Sequence, residues 1–262
     1  MKKSISLILL TLFSFVAFSQ QGNSDIFRKE SFMSTSGNEL PYRLLIPENF
    51  DSTKKYPLVL FLHGAGERGN DNEAQLKHGT SIFTKPENRT KFSAFVLVPQ
   101  CPKEDYWASA KIDRSQQPVN FEFNYDNPLT PALESALELL DTYRHDAFID
   151  TNRVYITGLS MGGMGTFEAV AKRPDFFAAA APICGGGDPR FYGEKTSKMA
   201  FWIFHGDKDN VVSVEHSRTM YKRIRALGGK VIYKEYPNIE HNSWENAFAE
   251  ETFLPWMFAM KR

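Results

Sequence analysis

Val154-Tyr155-Ile156-Thr157-Gly158-Leu159-Ser160-Met161-Gly162-Gly163 decides how this chain is read. An apolar, β-branched run enters a G-x-S-x-G pattern, and a helical pattern leaves it. In that setting Gly158 to Gly162 mark a sharp strand-to-helix turn that lifts a serine into the open. Such a turn is strained, so the residues flanking the serine must be small, and glycine has no Cβ to clash. The helix that starts after the serine brings free N–H groups and a positive dipole end to the same place. Ser160 is therefore the candidate nucleophile. Outside this setting the same letters describe only a glycine-rich turn, so the reading depends on what surrounds them.

The surroundings alternate. Apolar runs expected as strands are Leu40 to Ile46, Tyr56 to Leu62, Ala94 to Val98, Val154 to Thr157, Ala178 to Ile183, Ala200 to Phe204 and Lys230 to Tyr236. Amphipathic stretches expected as helices are Glu73 to Phe83, Leu129 to Phe148, Met161 to Lys172, Val214 to Leu227 and Trp244 to Met260. Gly228-Gly229 stops the fourth of these as a helix C-cap does. Strands that alternate with helices indicate an α/β fold, a mostly parallel sheet with helices on both faces. One region breaks the rhythm. Residues 101–127 carry Pro, Asp, Asn and aromatic residues with no period. Such a loop either borders the substrate, with Trp107 and its neighbours as contacts, or packs its aromatics beneath itself.

A serine hydroxyl needs a base to take its proton and a third group to orient that base. In sheets of this type the order along the chain is serine, acid, histidine, and each lies just past a strand end. After Ala200 to Phe204 comes His205-Gly206-Asp207-Lys208-Asp209. Asp209 is the expected acid, because Gly206 can turn the chain so that Asp209 faces the cleft. Asp207 is expected to stabilise the turn by bonding its own backbone. After the last strand, His241 lies in the loop before the final helix and is the expected base. The oxyanion donors are expected from the Met161 N–H and from the loop His63-Gly64-Ala65-Gly66-Glu67-Arg68-Gly69. Ala65 is the first candidate there. Gly66 is the alternative and, with Trp107, is expected to border the substrate.

The rest of the composition narrows the setting. Lys2 and Lys3 precede an apolar stretch, Ile5 to Phe18, with small or polar residues after it. Residues 1–20 read as a secretory signal cut near Ser19 to Gln21, and residues 21–262 as one catalytic domain. The apolar stretch is short for a membrane span, so no anchor is expected after cleavage. Thirty-one Lys and Arg balance 31 Asp and Glu, so no basic excess points to nucleic acid or an anionic membrane. No histidine, cysteine and carboxylate spacing matches a metal site, and no phosphate-cradling loop is present, so no cofactor is implied. The sequence carries no signature of an oligomeric state.

The segments Leu62 to Gly69, Pro99-Gln100-Cys101-Pro102, Gly158 to Gly163, Ile183-Cys184-Gly185-Gly186-Gly187 and His205 to Asp209 together resemble the α/β-hydrolase superfamily. Within it the chain is similar to the phospholipase/carboxylesterase and dienelactone-hydrolase-like branch, which includes secreted plant-biomass esterases and predicted peptidases. The resemblance runs from about residue 27 to the C-terminus. It implies Ser160 as nucleophile, Asp209 as acid, His241 as base, and Ala65 and Met161 N–H groups in an oxyanion hole. Dienelactone hydrolases proper use a cysteine, and Ser160 departs from them. In the superfamily's usual strand order the strands before Cys101 and Cys184 are separated by two others. That is about 14 Å at about 4.8 Å per strand, beyond the reach of a disulfide, so two free, buried thiols are implied.

The expected activity is a secreted carboxylic ester hydrolase acting through an acyl-enzyme on small acyl or aryl esters, including those borne on plant polysaccharides. A serine peptidase is the alternative, because the same triad cleaves amides. A non-catalytic binding protein on a hydrolase fold is the third reading, and the presence of all three triad residues in order argues against it.

Overall fold

The structure, a computed structural model, describes residues 26–262. The expected signal at residues 1–20 lies outside the described residues. Among these, ten strands form: β1 (Arg28–Met33), β2 (Glu39–Leu45), β3 (Tyr56–Leu62), β4 (Phe95–Pro99), β5 (Ala110–Asp113), β6 (Asn120–Phe123), β7 (Ile149–Leu159), β8 (Ala179–Ile183), β9 (Ala200–Gly206) and β10 (Lys230–Tyr236). The helices are α1 (Pro86–Lys91), α2 (Pro131–Arg144), α3 (Met161–Lys172), α4 (Glu194–Ser197), α5 (Val214–Ala226), α6 (Trp244–Ala249) and α7 (Phe253–Ala259).

Eight strands make one sheet in the order β1-β2-β4-β3-β7-β8-β9-β10. β1 and β2 pair antiparallel, as do β2 and β4. The pairings from β4 through β3, β7, β8 and β9 to β10 are parallel. This is the α/β-hydrolase architecture expected from the sequence. Every residue of β3 is buried, because the sheet is covered on both faces. Leu58, Leu60 and Leu62 face a core shared with α2, α3 and α5. Val59 and Phe61 point the other way, into a core shared with α6 and α7. The strand's period of two thus supplies both cores. Each such side chain contributes about 1.5–3 kcal/mol on burial. Since β3, β7, β8, β9 and β10 run parallel, the loops that follow them all emerge at one edge.

Four local expectations change. Glu73 to Phe83 forms two short 3-10 turns, Ala74–Leu76 and Thr80–Phe83. Gly79 separates them at φ +78°, where a Cβ would run into the Phe248 ring. Trp244 to Met260 is two helices, with Glu250 in extended backbone between them. Pro255 explains the restart, since proline is tolerated in a first turn but breaks a helix interior. The 101–127 region contains the β5–β6 hairpin, which pairs antiparallel and joins the acid loop through a Val119–Val212 bridge. β1 was not expected, because Arg28 to Met33 alternates along an exposed edge without an apolar run.

Candidate active site

The turn at Ser160 is strained, at φ 54° and ψ −115°, a conformation costing about 1–3 kcal/mol. Its neighbours hold it there. The Ser160 N–H donates to the Ile183 carbonyl at 2.9 Å, and the Met164 N–H donates to the Ser160 carbonyl at 3.0 Å. A Cβ at Gly158 would run into the backbone of Gly162, and a Cβ at Gly162 into the Leu62 carbonyl. The elbow therefore presses on the end of β3 so closely that no side chain fits.

Ser160 Oγ lies 2.9 Å from His241 Nε2, and His241 Nδ1 lies 2.7 Å from Asp209 Oδ2. The other Asp209 oxygen accepts the N–H groups of Val211 and Val212, each at 2.9 Å. Burial pushes the Asp209 carboxyl up, but the imidazole N–H groups of His205 and His241 outweigh it and hold it well below the usual carboxylate range. Asp209 is thus an anion at neutral pH. The loops that carry Asp209 and His241 are built as one unit. A Cβ at Gly206 would meet the Ile239 and Glu240 carbonyls. The Lys208 N–H donates to the Ile239 carbonyl at 2.9 Å. Asp207 Oδ1 accepts the Asn238 N–H at 2.6 Å, so Asp207 braces the base loop rather than bonding its own backbone as expected.

The loop after β3 is pinned from below. His63 is buried; its Nδ1–H donates to the Gly64 carbonyl at 2.6 Å, and its Nε2 accepts the Cys101 N–H at 3.0 Å. Burial lowers its pKa to about 4, so the ring is neutral and can accept as this geometry requires. Arg68 Nε donates to the Ala65 carbonyl at 3.0 Å, and its Nη1 donates to the Lys103 and Asp105 carbonyls. Gln100 Nε2 donates to the Glu67 carbonyl at 3.1 Å. Ala65 is half-buried and Gly66 exposed. Among the described residues the N–H groups of Ala65 and Met161 have no acceptor. Both therefore remain available to an incoming oxygen, and the Met161 group opens α3, where the helix dipole favours negative charge.

Trp107 is a correction. It is fully buried, with its ring edge-on to His63 at 5.4 Å between centroids and its Cβ beside Gly165. It supports the loop after β3 and the first turns of α3 from behind and touches no open cleft. Tyr125 and Phe121 are buried too, so most aromatics of the 101–127 region pack beneath it. Tyr106, by contrast, lines a groove of about 620 Å³ with Arg68, Ala108, Ile112, Arg114 and Thr130. Cys101 and Cys184 are free and buried. Cys184 Sγ lies within 4.8 Å of ligand atoms of Asp209 and His241. Burial pushes its thiol up, so it stays protonated, and the other two residues already hydrogen-bond each other.

Two neighbours escaped sequence reasoning. Trp244 stands edge-on to His241, with ring centroids 5.3 Å apart. His78 leans on Trp244 and its Nε2 lies 3.6 Å from Glu67 Oε1, so this wall runs from the base loop to the loop after β3. The second is His205, whose Nε2 lies 3.1 Å from Asp209 Oδ2. The only signal in the sequence was its place in His-Gly-x-x-Asp.

The sequence profile of phospholipases and carboxylesterases matches residues 50–254. The chain belongs to the phospholipase/carboxylesterase family. A solved thermostable esterase resembles this family member at 38% identity and a TM-score of 0.81, over 92% of this chain and 64% of its own. The ferulic acid esterase of Anaeromyces mucronatus shares the fold at 19% identity and a TM-score of 0.63, over 87% of this chain and 89% of its own. A bifunctional acetylxylan esterase/xylanase of Neocallimastix patriciarum is 34% identical over 177 residues, which are 64% of this chain and 22% of that protein. Feruloyl esterase D of Neurospora crassa is 26% identical over 72% of this chain and 59% of its own length. The chain thus spans less than two thirds of either of these two curated relatives. Among the described residues no helix is long and apolar enough to cross a membrane.

Proposed function

We propose that this protein is a secreted carboxylic ester hydrolase that works through an acyl-enzyme on Ser160. The observation that carries the reading is the unbroken hydrogen-bonded chain from Ser160 through His241 to Asp209, at 2.9 and 2.7 Å. Ser160 Oγ attacks the ester carbonyl carbon as its proton passes to His241 Nε2. Asp209 faces the imidazolium that forms and fixes the tautomer that began the step. The oxygen that becomes negative is received by the Ala65 and Met161 N–H groups, each such donor contributing about 3 kcal/mol to the transition state. The intermediate collapses, and His241 gives its proton to the departing alcohol. Water then attacks the acyl-enzyme by the same route and releases the acid.

The substrate class is a small acyl or aryl ester carried on a plant polysaccharide. The names of the acetylxylan and feruloyl esterase relatives support it. So does the groove beside Arg68 and Tyr106, which adjoins the Ala65 loop through Arg68, has apolar, cationic and acidic walls with Glu104 and Asp105 among them, and leaves room for more than one ring. Export, expected from residues 1–20, suits a substrate too large to enter a cell.

The test is hydrolysis of p-nitrophenyl acetate by the protein and by Ser160→Ala, followed by acetylated xylan, methyl ferulate and chromogenic dipeptides. The expected result is ester hydrolysis that disappears in the variant, with release of acetate or ferulate and no peptide cleavage. Equal rates from the two proteins sink the nucleophile, and faster peptide cleavage sinks the ester class.

A further inference from the structure

One imidazole at the site has no part in the steps above. His205 is the penultimate residue of β9 and is fully buried. Its Nε2 lies 3.1 Å from Asp209 Oδ2 and 3.0 Å from the Val212 carbonyl. Both partners are acceptors, so Nε2 carries a proton and shares it between them. Nδ1 lies 2.7 Å from Ser217 Oγ, on α5. That hydroxyl also reaches the Gly185 carbonyl at 3.2 Å.

Asp209 Oδ2 therefore receives two imidazole N–H groups, one from His205 and one from His241, while Oδ1 receives two backbone N–H groups. The backbone donors hold Oδ1, and because the carboxylate is one rigid plane a firm donor on Oδ2 as well secures the direction in which Oδ2 faces His241. His241 cannot set that direction alone, because its ring must also stay aligned with Ser160. His205 has no such second duty and belongs to a strand end of the sheet.

We propose that His205 is a positioning residue for the Asp209–His241 pair. It anchors Oδ2 in line with His241 Nδ1 and draws off part of the negative charge that His241 meets. The inference rests on the ester-hydrolase reading of Ser160. The shared proton makes the arrangement adjustable. When His241 takes the Ser160 proton, its bond to Oδ2 becomes charge-assisted and strengthens. The His205 N–H can then lean toward the Val212 carbonyl and leave Oδ2 to the imidazolium.

Other ionisable groups face this cluster. The Cys184 thiol lies beside Asp209. Glu235 is opposite His205 in the β9–β10 register and is held by Arg218. His216 lies nearby on α5. Among the described residues none of them hydrogen-bonds Asp209 Oδ2, so none substitutes for the His205 donor.

The experiment measures pH profiles of kcat and kcat/KM on p-nitrophenyl acetate for the wild type, His205→Leu, His205→Gln and Ser217→Ala, each checked by circular dichroism and thermal melting. A glutamine Nε2 can occupy the place of the histidine Nε2–H, whereas leucine offers no donor. The leucine variant is expected to lose about 10–100-fold in kcat with little change in KM. Its acid limb should move to higher pH, because Asp209 Oδ2 then shares its charge with one imidazole fewer. Glutamine should restore most of the rate and the wild-type limb. Ser217→Ala leaves the Nε2 proton in place but frees the Nδ1 side of the ring, so the aim of Nε2–H at Oδ2 loosens; it should move the limb the same way by less, and it carries the test where the leucine protein does not fold. An unmoved acid limb in both the leucine and alanine proteins makes His205 a packing residue and overturns the proposal. Loss of the Ser160 reading registers separately, as undiminished activity in Ser160→Ala.

Discussion

Asp209→Asn separates the two candidate acids and tests the hydrogen-bond accounting around them. In the wild type Oδ1 accepts the Val211 and Val212 N–H groups, and Oδ2 accepts two imidazole N–H groups. An asparagine has only one oxygen. The backbone donors cannot turn away, so that oxygen stays at the Oδ1 position and the NH2 group confronts His205 and His241. His241 can meet a donor only by presenting a bare Nδ1, which moves its proton to Nε2, 2.9 Å from Ser160 Oγ. The base then has no lone pair where the serine proton must go. The same change of tautomer in a serine protease lowers kcat by about 10⁴, which is about 5 kcal/mol of lost transition-state stabilisation. Two hydrogen bonds to a charged group are also lost, at about 1.5–3 kcal/mol each, so rates are compared only on protein shown to be folded by circular dichroism. Asp207→Asn is the control. Its side-chain oxygen still accepts the Asn238 N–H, so its rate should stay within about threefold of wild type. The assay is steady-state p-nitrophenyl acetate hydrolysis. More than a tenth of wild-type kcat in Asp209→Asn, or a larger loss in Asp207→Asn, refutes this account.

Two other outcomes follow from buried side chains. His63 titrates near its ordinary value of 6.5 when unfolded but at about 4 when folded. The unfolded chain thus takes up a proton first as pH drops, and His63's full contribution is present above pH 6.5. About 3 kcal/mol of stability is lost between pH 6.5 and 4. Urea midpoints at pH 7.5, 5.5 and 4.5 should fall more steeply for wild type than for His63→Gln, and parallel slopes contradict the assignment. Trp107→Ala removes a fully buried ring and should lower stability by about 3–5 kcal/mol, read by thermal or urea denaturation, while KM of the folded fraction stays unchanged. A raised KM at unchanged stability means that Trp107 touches substrate after all.

Much of this molecule was legible because it is local. Met161 to Lys172 was read as a helix to the residue, since its start is set by the elbow glycines and Ser160. The β3 and β9 runs were read because strands buried on both faces are continuously apolar. The break in the C-terminal helix was also written in the sequence, at Pro255, and was overlooked. The β5–β6 hairpin was not legible. Ala110 to Asp113 and Asn120 to Phe123 do alternate, but each is only four residues long, too short for a period to stand out, and the bridge that ties the hairpin down comes from Val212, far along the chain.

The sequence by itself determined the elbow, the serine–acid–histidine order and the strand ends that carry them, because each depends on glycine placement and apolar period within a few residues. Tertiary structure alone decided that Trp107 turns inward against His63 and Gly165 and that Asp209 lies between two imidazoles. Which side of an aromatic is solvated, and which lone pair a distant N–H finds, depends on segments brought together only when the sheet closes. Such contacts leave no period in the chain.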